Sequence, residues 1–155
     1  MIVGVPTEIK TDEFRVAVTP EGVRELEMHG IEVLVQAGAG AGSGLPDEAY
    51  RAAGAEIVTS PDELWQRSGL VCKVKEPLEE EFAWFRDDLT VFTYLHLAAY
   101  PKVADALIEH GTTGIAYETV QLESGALPLL SPMSEVAGRM APQVGAHFLE
   151  RANGG

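Results

Sequence analysis

The sequence predicts an α/β fold in which a parallel sheet carries helices on both faces. Three features of the chain predict it. Short β-rich runs alternate with helical runs along most of the length, an order that builds parallel sheets through crossover connections. The helical runs bring their own start and stop residues. Past about residue 130 the alternation gives way to one long amphipathic stretch. Together these describe a Rossmann-like or flavodoxin-like sheet followed by a long interdomain helix.

IVGVP reads as the first strand, and PEGVRELEMHG as a helix that stops at Gly30. EVLVQA, DEAYRAAG and EIV continue the alternation. In SPDELWQRS, Ser60, Pro61 and Glu63 have the spacing of a capping box, with proline at the first helical position. LVCKVK is the next strand, and EEEFAWFR the next helix. Glu79, Glu80 and Glu81 are expected to be its solvated first turn, where negative charge suits the helix dipole. LTVFTYL follows. In PKVADALIEHG, Val103, Ala104, Leu107 and Ile108 recur with helical spacing, and Gly111 ends the run before the strand TGIAYE.

After the polar turn LESGALP a long helix is expected from about Ser131, with Ser131 as its cap and Pro132 at its first position. Met133, Val136, Ala137, Met140, Val144 and Phe148 form a stripe, flanked by the small residues Ala141 and Gly145. Pro142 cannot donate to the carbonyl of Gly138, which predicts a kink. Residues 1–130 thus form one domain, and residues 131–155 a connecting helix ending in the linker-like Ala152, Asn153, Gly154 and Gly155.

The chain has 155 residues, about one domain, and 46% of them are hydrophobic, enough for a proper core. Its formal net charge is −13, with 24 acidic against 11 basic residues. Such a surface repels phosphate backbones and anionic lipid, so neither nucleic acid nor membrane is an expected partner. No apolar run approaches bilayer length, and MIVGVPTEIK lacks a basic region before an apolar signal core; a cytoplasmic protein is expected. Cys72, the single cysteine, lies in an apolar strand and reads as a buried structural thiol. His29, His110 and His147 lie in separate helical segments without metal-binding spacing, so no metal is expected. The stretch GAGAGSG follows a strand but completes neither GxGxxG nor a phosphate loop. It reads as a tight turn that lets backbones approach closely.

Lys75 and His96 each end an apolar, strand-like run, GLVCKVKEP and LTVFTYLHL. Alternation puts Lys73 and Lys75 on one strand face, and Tyr94 and His96 on one face of theirs. Taken singly, Lys75 reads as a solvated strand end and His96 as a hydrogen-bonded core histidine. Taken together, they put two titratable groups on the sheet edge where open α/β sheets do chemistry. Arg15, in the loop TDEFRVAVTP, reaches the same edge. Its guanidinium suits a small carboxylate, or else an ion pair with Asp12, Glu13 or another surface acid.

The blocks IVGVPTEIKTDEFRVAVTPEGV, AGAGAGSG, VKEP, YLHLA, AYETVQ and LPLLSPMSEVAGRMAPQVGAHFLE occur in order along the chain. In them the sequence resembles the amino-terminal part of the alanine dehydrogenase family. That resemblance implies NAD-dependent, reversible oxidative deamination of L-alanine to pyruvate and ammonia, in a homohexamer. It makes residues 1–130 the substrate domain, and 131–155 the start of a linker to an NAD-binding domain absent from this chain, so that the fragment alone is inactive. By the matched blocks, Arg15 corresponds to the arginine that holds the substrate carboxylate. Lys75 corresponds to the catalytic lysine that contacts the substrate and supports its carbonyl or imine chemistry. His96 matches the acid/base, Met133 packs near substrate and nicotinamide, and Ser134 contacts NAD. The transhydrogenase α-subunit shares the opening pattern and glycine turn, but looks different at the positions of Lys75 and His96. Saccharopine dehydrogenases use a lysine and a histidine, but ETVQ and SPMSEVAGRMAPQ resemble them less. The remaining alternative is a non-catalytic domain for small-acid binding or assembly.

Overall fold

The computed structural model describes all of residues 1–155. Its strands are β1 (Ile2–Val5), β2 (Glu32–Gln36), β3 (Glu56–Val58), β4 (Leu70–Cys72), β5 (Thr90–Thr93) and β6 (Thr113–Ala116). They form one parallel sheet in the order β3-β2-β1-β4-β5-β6. Helices α1 (Pro20–Met28), α2 (Asp47–Ala53), α3 (Pro61–Arg67) and α4 (Pro101–His110) connect the strands, and α5 (Ser131–Leu149) comes after them. The chain falls into two compact units, Met1–Ala116 and Tyr117–Gly155.

In the first unit, side-chain alternation along each strand builds two cores. Val3, Val5, Val33, Val35 and Cys72 cluster with Val23 of α1 and Tyr50 of α2. Leu34 and Val71 turn the other way, to Leu64 and Trp65 of α3 and to Val103 and Leu107 of α4. The sheet is therefore apolar on both faces, as a parallel sheet between helices must be. Gly4 faces α3, where a Cβ would come within 2.9 Å of Leu64 Cδ2; the missing side chain lets the helix lie directly on β1.

The helix boundaries follow the local chemistry, with some corrections. Thr19 Oγ1 accepts from Gly22 N–H, and Ser60 Oγ from Glu63 N–H, each at 3.3 Å. The reciprocal half of the expected capping box is not made, because the Glu63 carboxylate takes Arg67 at 2.7 Å. In α4 the buried stripe is Val103, Ala106 and Leu107. Ile108 falls outside that i, i+3, i+4 set and is 79% exposed. The run after β4 is a 3-10 helix over Glu79–Trp84, and it is not uniformly solvated: Glu81 is buried.

In the second unit α5 starts one residue earlier than expected, with Leu130 at the cap. Ser131 instead donates its hydroxyl to Leu127 C=O at 2.8 Å. The helix continues through Pro142. Its apolar stripe forms but does not close a core, since Met133, Val136, Met140, Val144 and Phe148 are 41–62% exposed.

Candidate functional site

The chain leaves β1 toward β2 on one side, and leaves β4 toward β5 on the other, although β1 and β4 are neighbours. Such a reversal opens a crevice beyond the carboxyl ends of the strands, where open α/β sheets bind ligands. The loop after β1 carries Arg15, the loop after β4 carries Lys75, and the loop after β5 carries His96. All three therefore stand on this edge.

Arg15 is oriented by its own loop. Its guanidinium donates to Glu13 at 2.8 and 2.6 Å, and its backbone N–H donates to the same carboxylate at 2.9 Å. The Arg15 hydrogen bonds outweigh burial and hold the Glu13 carboxyl below the usual carboxylate range, with the charge of Lys75 adding to the effect. Arg15 is raised in turn, first by Glu13 against some burial, then by Tyr94 and Glu8. Arg15, Lys75 and Tyr94 thus share one electrostatic neighbourhood. The glycine turn supports this loop from behind: Ser43 Oγ donates to Phe14 C=O at 2.9 Å, and a Cβ on Gly42 would stand 2.7 Å from that oxygen.

Lys75 is half-buried, and its main chain is held at both polar groups. The Glu8 carboxylate accepts from Val74 N–H at 2.6 Å and from Lys75 N–H at 3.4 Å, while Thr93 Oγ1 donates to Lys75 C=O at 2.8 Å. The expected shared strand face with Lys73 does not arise, because β4 ends at Cys72. Lys73 is instead 1% exposed and paired with Glu81 at 2.7 Å and Glu8 at 3.4 Å. Burial pushes the Glu81 carboxyl up, against the charge of Lys73. Glu8 carries no sign of its own in the sequence, and the solvated turn expected of Glu81 hides its buried role. The signal available was Lys73 itself, since a lysine inside an apolar run needs a buried counter-charge.

His96 is exposed and not a core histidine. Its ring stacks on Tyr94, with centroids 5.8 Å apart and planes 12° apart, although β5 ends at Thr93 and the expected shared strand face does not arise. Its φ is 47°, and Asp12 is the other non-glycine residue with positive φ. Left-handed backbone at such residues concentrates at functional sites. Cys72 contributes nothing reactive, because burial pushes its thiol up to about 12. Met133 and Ser134 belong to the second unit, on the first turn of α5. No group of three or more His, Cys, Asp or Glu side chains could hold a metal ion, and no helix is long and apolar enough to cross a membrane. The edge combines a planar guanidinium for a carboxylate, an ammonium, and an imidazole able to accept and donate a proton.

Residues 4–137 match the family model described as alanine dehydrogenase/PNT, N-terminal domain. The chain is 59% identical over its whole length to the alanine dehydrogenases of Mycolicibacterium smegmatis and Bacillus subtilis. It spans 42% and 40% of those relatives. Among solved structures, an L-alanine dehydrogenase superimposes over the whole chain with a TM-score of 0.94 and 48% identity, this chain covering 43% of it. The transhydrogenase of Sinorhizobium meliloti matches 76% of this chain, with a TM-score of 0.71 and 31% identity, over 35% of its own length. From the extent of these matches, the chain belongs to the alanine dehydrogenase/PNT N-terminal domain family.

Proposed function

We propose that this chain is the substrate-binding part of an NAD-dependent alanine dehydrogenase that interconverts L-alanine with pyruvate and ammonia. The observation that carries the reading is that the loops bearing Arg15, Lys75 and His96 meet on one sheet edge, beside the β1/β4 reversal. Arg15, oriented by Glu13, binds the substrate carboxylate. Lys75 supports the negative charge that develops on the carbonyl oxygen. His96 moves the proton as water adds to the imine and as ammonia leaves the carbinolamine.

When bound, NAD would supply the acceptor for the hydride that leaves Cα. The glycine turn of this chain does not fit its pyrophosphate: Cβ positions on Gly40 and Gly42 run into Leu45, Tyr50 and Phe14, so the turn is filled by its own neighbours. In this reading the dinucleotide is held mainly by the rest of a longer protein, with Ser134 as a contact from this chain. That protein is a cytoplasmic homohexamer. The fuller match to an L-alanine dehydrogenase than to a transhydrogenase supports this activity over the alternative.

Titration of the 155-residue chain with pyruvate, followed by calorimetry or by side-chain NMR shifts, tests the reading. Binding is expected for the unaltered chain and not for Arg15→Ala. Equal affinity in both overturns the assignment.

A further inference from the structure

We propose that Glu8 and Lys10, in the loop after β1, are positioning residues that clamp the segment bearing Lys75; the inference rests on the role given to Lys75 above. Glu8 holds the main chain of that segment, accepting from Val74 N–H at 2.6 Å and from Lys75 N–H at 3.4 Å. Its side chain is 3% exposed, and its charge is balanced by Lys73 at 3.4 Å. Lys10 holds the next residue along, pairing with the carboxylate of Glu76, whose side chain is 1% exposed. The Lys10 ammonium also donates to Tyr100 Oη at 3.2 Å and lies 4.9 Å from the centroid of that ring.

Two charged residues of one loop therefore hold the segment around Lys75, Glu8 through the backbone at Val74 and Lys75, and Lys10 through the side chain of Glu76. A third loop is tied in, because Tyr100 follows His96 in the connection from β5 to α4. Burial is the largest single influence on the Glu76 carboxyl and would raise it, but the hydrogen bond and charge of Lys10, a backbone hydrogen bond and Tyr100 together hold the group below its ordinary range. Glu76 is thus an anion committed to Lys10. A lysine stem has many rotors, so its ammonium is aimed well only where the backbone beneath it is fixed. Ion pairs with a partner as buried as Glu8 or Glu76 add little net stability over apolar replacements. Their effect falls on geometry, where it is transmitted to Lys75.

The test is a double-mutant cycle in the full-length dehydrogenase, crossing Lys10→Met with Lys75→Ala and reading kcat/KM for pyruvate. Lys10→Met is expected to lower it about tenfold, and Lys10→Arg, which keeps a cation for Glu76, to recover most of the loss. In the Lys75→Ala background Lys10→Met is expected to cost nothing further. If Lys10→Met alone fails to fold, the pair Lys10→Met/Glu76→Gln, which leaves no unpaired carboxylate, carries the same comparison. Equal fold-losses in both backgrounds overturn the clamp alone. Wild-type kinetics for Lys75→Ala remove the role given to Lys75, and the clamp with it.

Discussion

His96 holds a backbone conformation, φ 47°, that costs a side-chain-bearing residue about 1–2 kcal/mol. Asparagine tolerates that region well but cannot exchange protons at neutral pH. His96→Asn is therefore expected to melt near the wild-type temperature while turnover of the full-length enzyme falls by about 10²–10⁴; undiminished turnover would remove the acid/base assignment. Arg15→Ala is expected to raise the Michaelis constant for pyruvate more than it lowers kcat. It also changes the response to acid. The Glu13 carboxyl is lowered by Arg15, so the pair contributes stability above the ordinary carboxylate range and loses it as pH falls through the depressed value. Melting curves of the wild type and Arg15→Ala should accordingly converge toward low pH; a gap that widens there contradicts the pairing. Lys73→Met strands two buried carboxylates, Glu8 and Glu81, and should cost about 3–5 kcal/mol in denaturant unfolding. Lys75 and His96 could be picked out from sequence because each follows an apolar run. Glu8 could not, because a glutamate in a loop looks like any solvated acid until the fold buries it.

Strands and helix ends were readable wherever the cause is local. Pro20, Pro61 and Pro101 open helices, and Gly30 and Gly111 take the left-handed backbone that ends them. The 3-10 helix at Glu79–Trp84 was not readable as such, because Glu81 is turned inward by a partner on β4's exit loop and by Leu78 N–H at 2.8 Å. Ser131 is an exception in which the cause is local: its hydroxyl bonds backward to Leu127, four residues earlier, and leaves the cap to Leu130. The glycine turn was read correctly as a close approach, although what it approaches, the Phe14 carbonyl beside Arg15, is a tertiary fact. Gly42→Ala should therefore push the Arg15 loop outward and weaken pyruvate binding, while far-ultraviolet circular dichroism stays unchanged. Gly138 in α5 meets nothing that a Cβ would touch. Gly138→Ala is expected to stabilise that helix by about 0.5–1 kcal/mol, seen as a higher midpoint in urea.

The order β3-β2-β1-β4-β5-β6 is that of a dinucleotide-binding sheet, yet the glycine-rich turn follows β2 rather than β1, and its space is filled. Alternating runs in the sequence predict a parallel sheet without fixing which strands adjoin, and the crevice depends on that adjacency. The chain covers only 42% of the M. smegmatis relative, and no turnover is expected from it alone with NAD and L-alanine. Reduction of NAD by this chain would contradict the division of labour proposed above. Cys72 sits in the middle of this sheet, its thiol shut from solvent and held up to about 12. As the only sulfhydryl in the chain, it acts as a silent clock. Alkylating dyes will reach it only when the sheet opens, so the rate of labelling measures how often each variant comes apart.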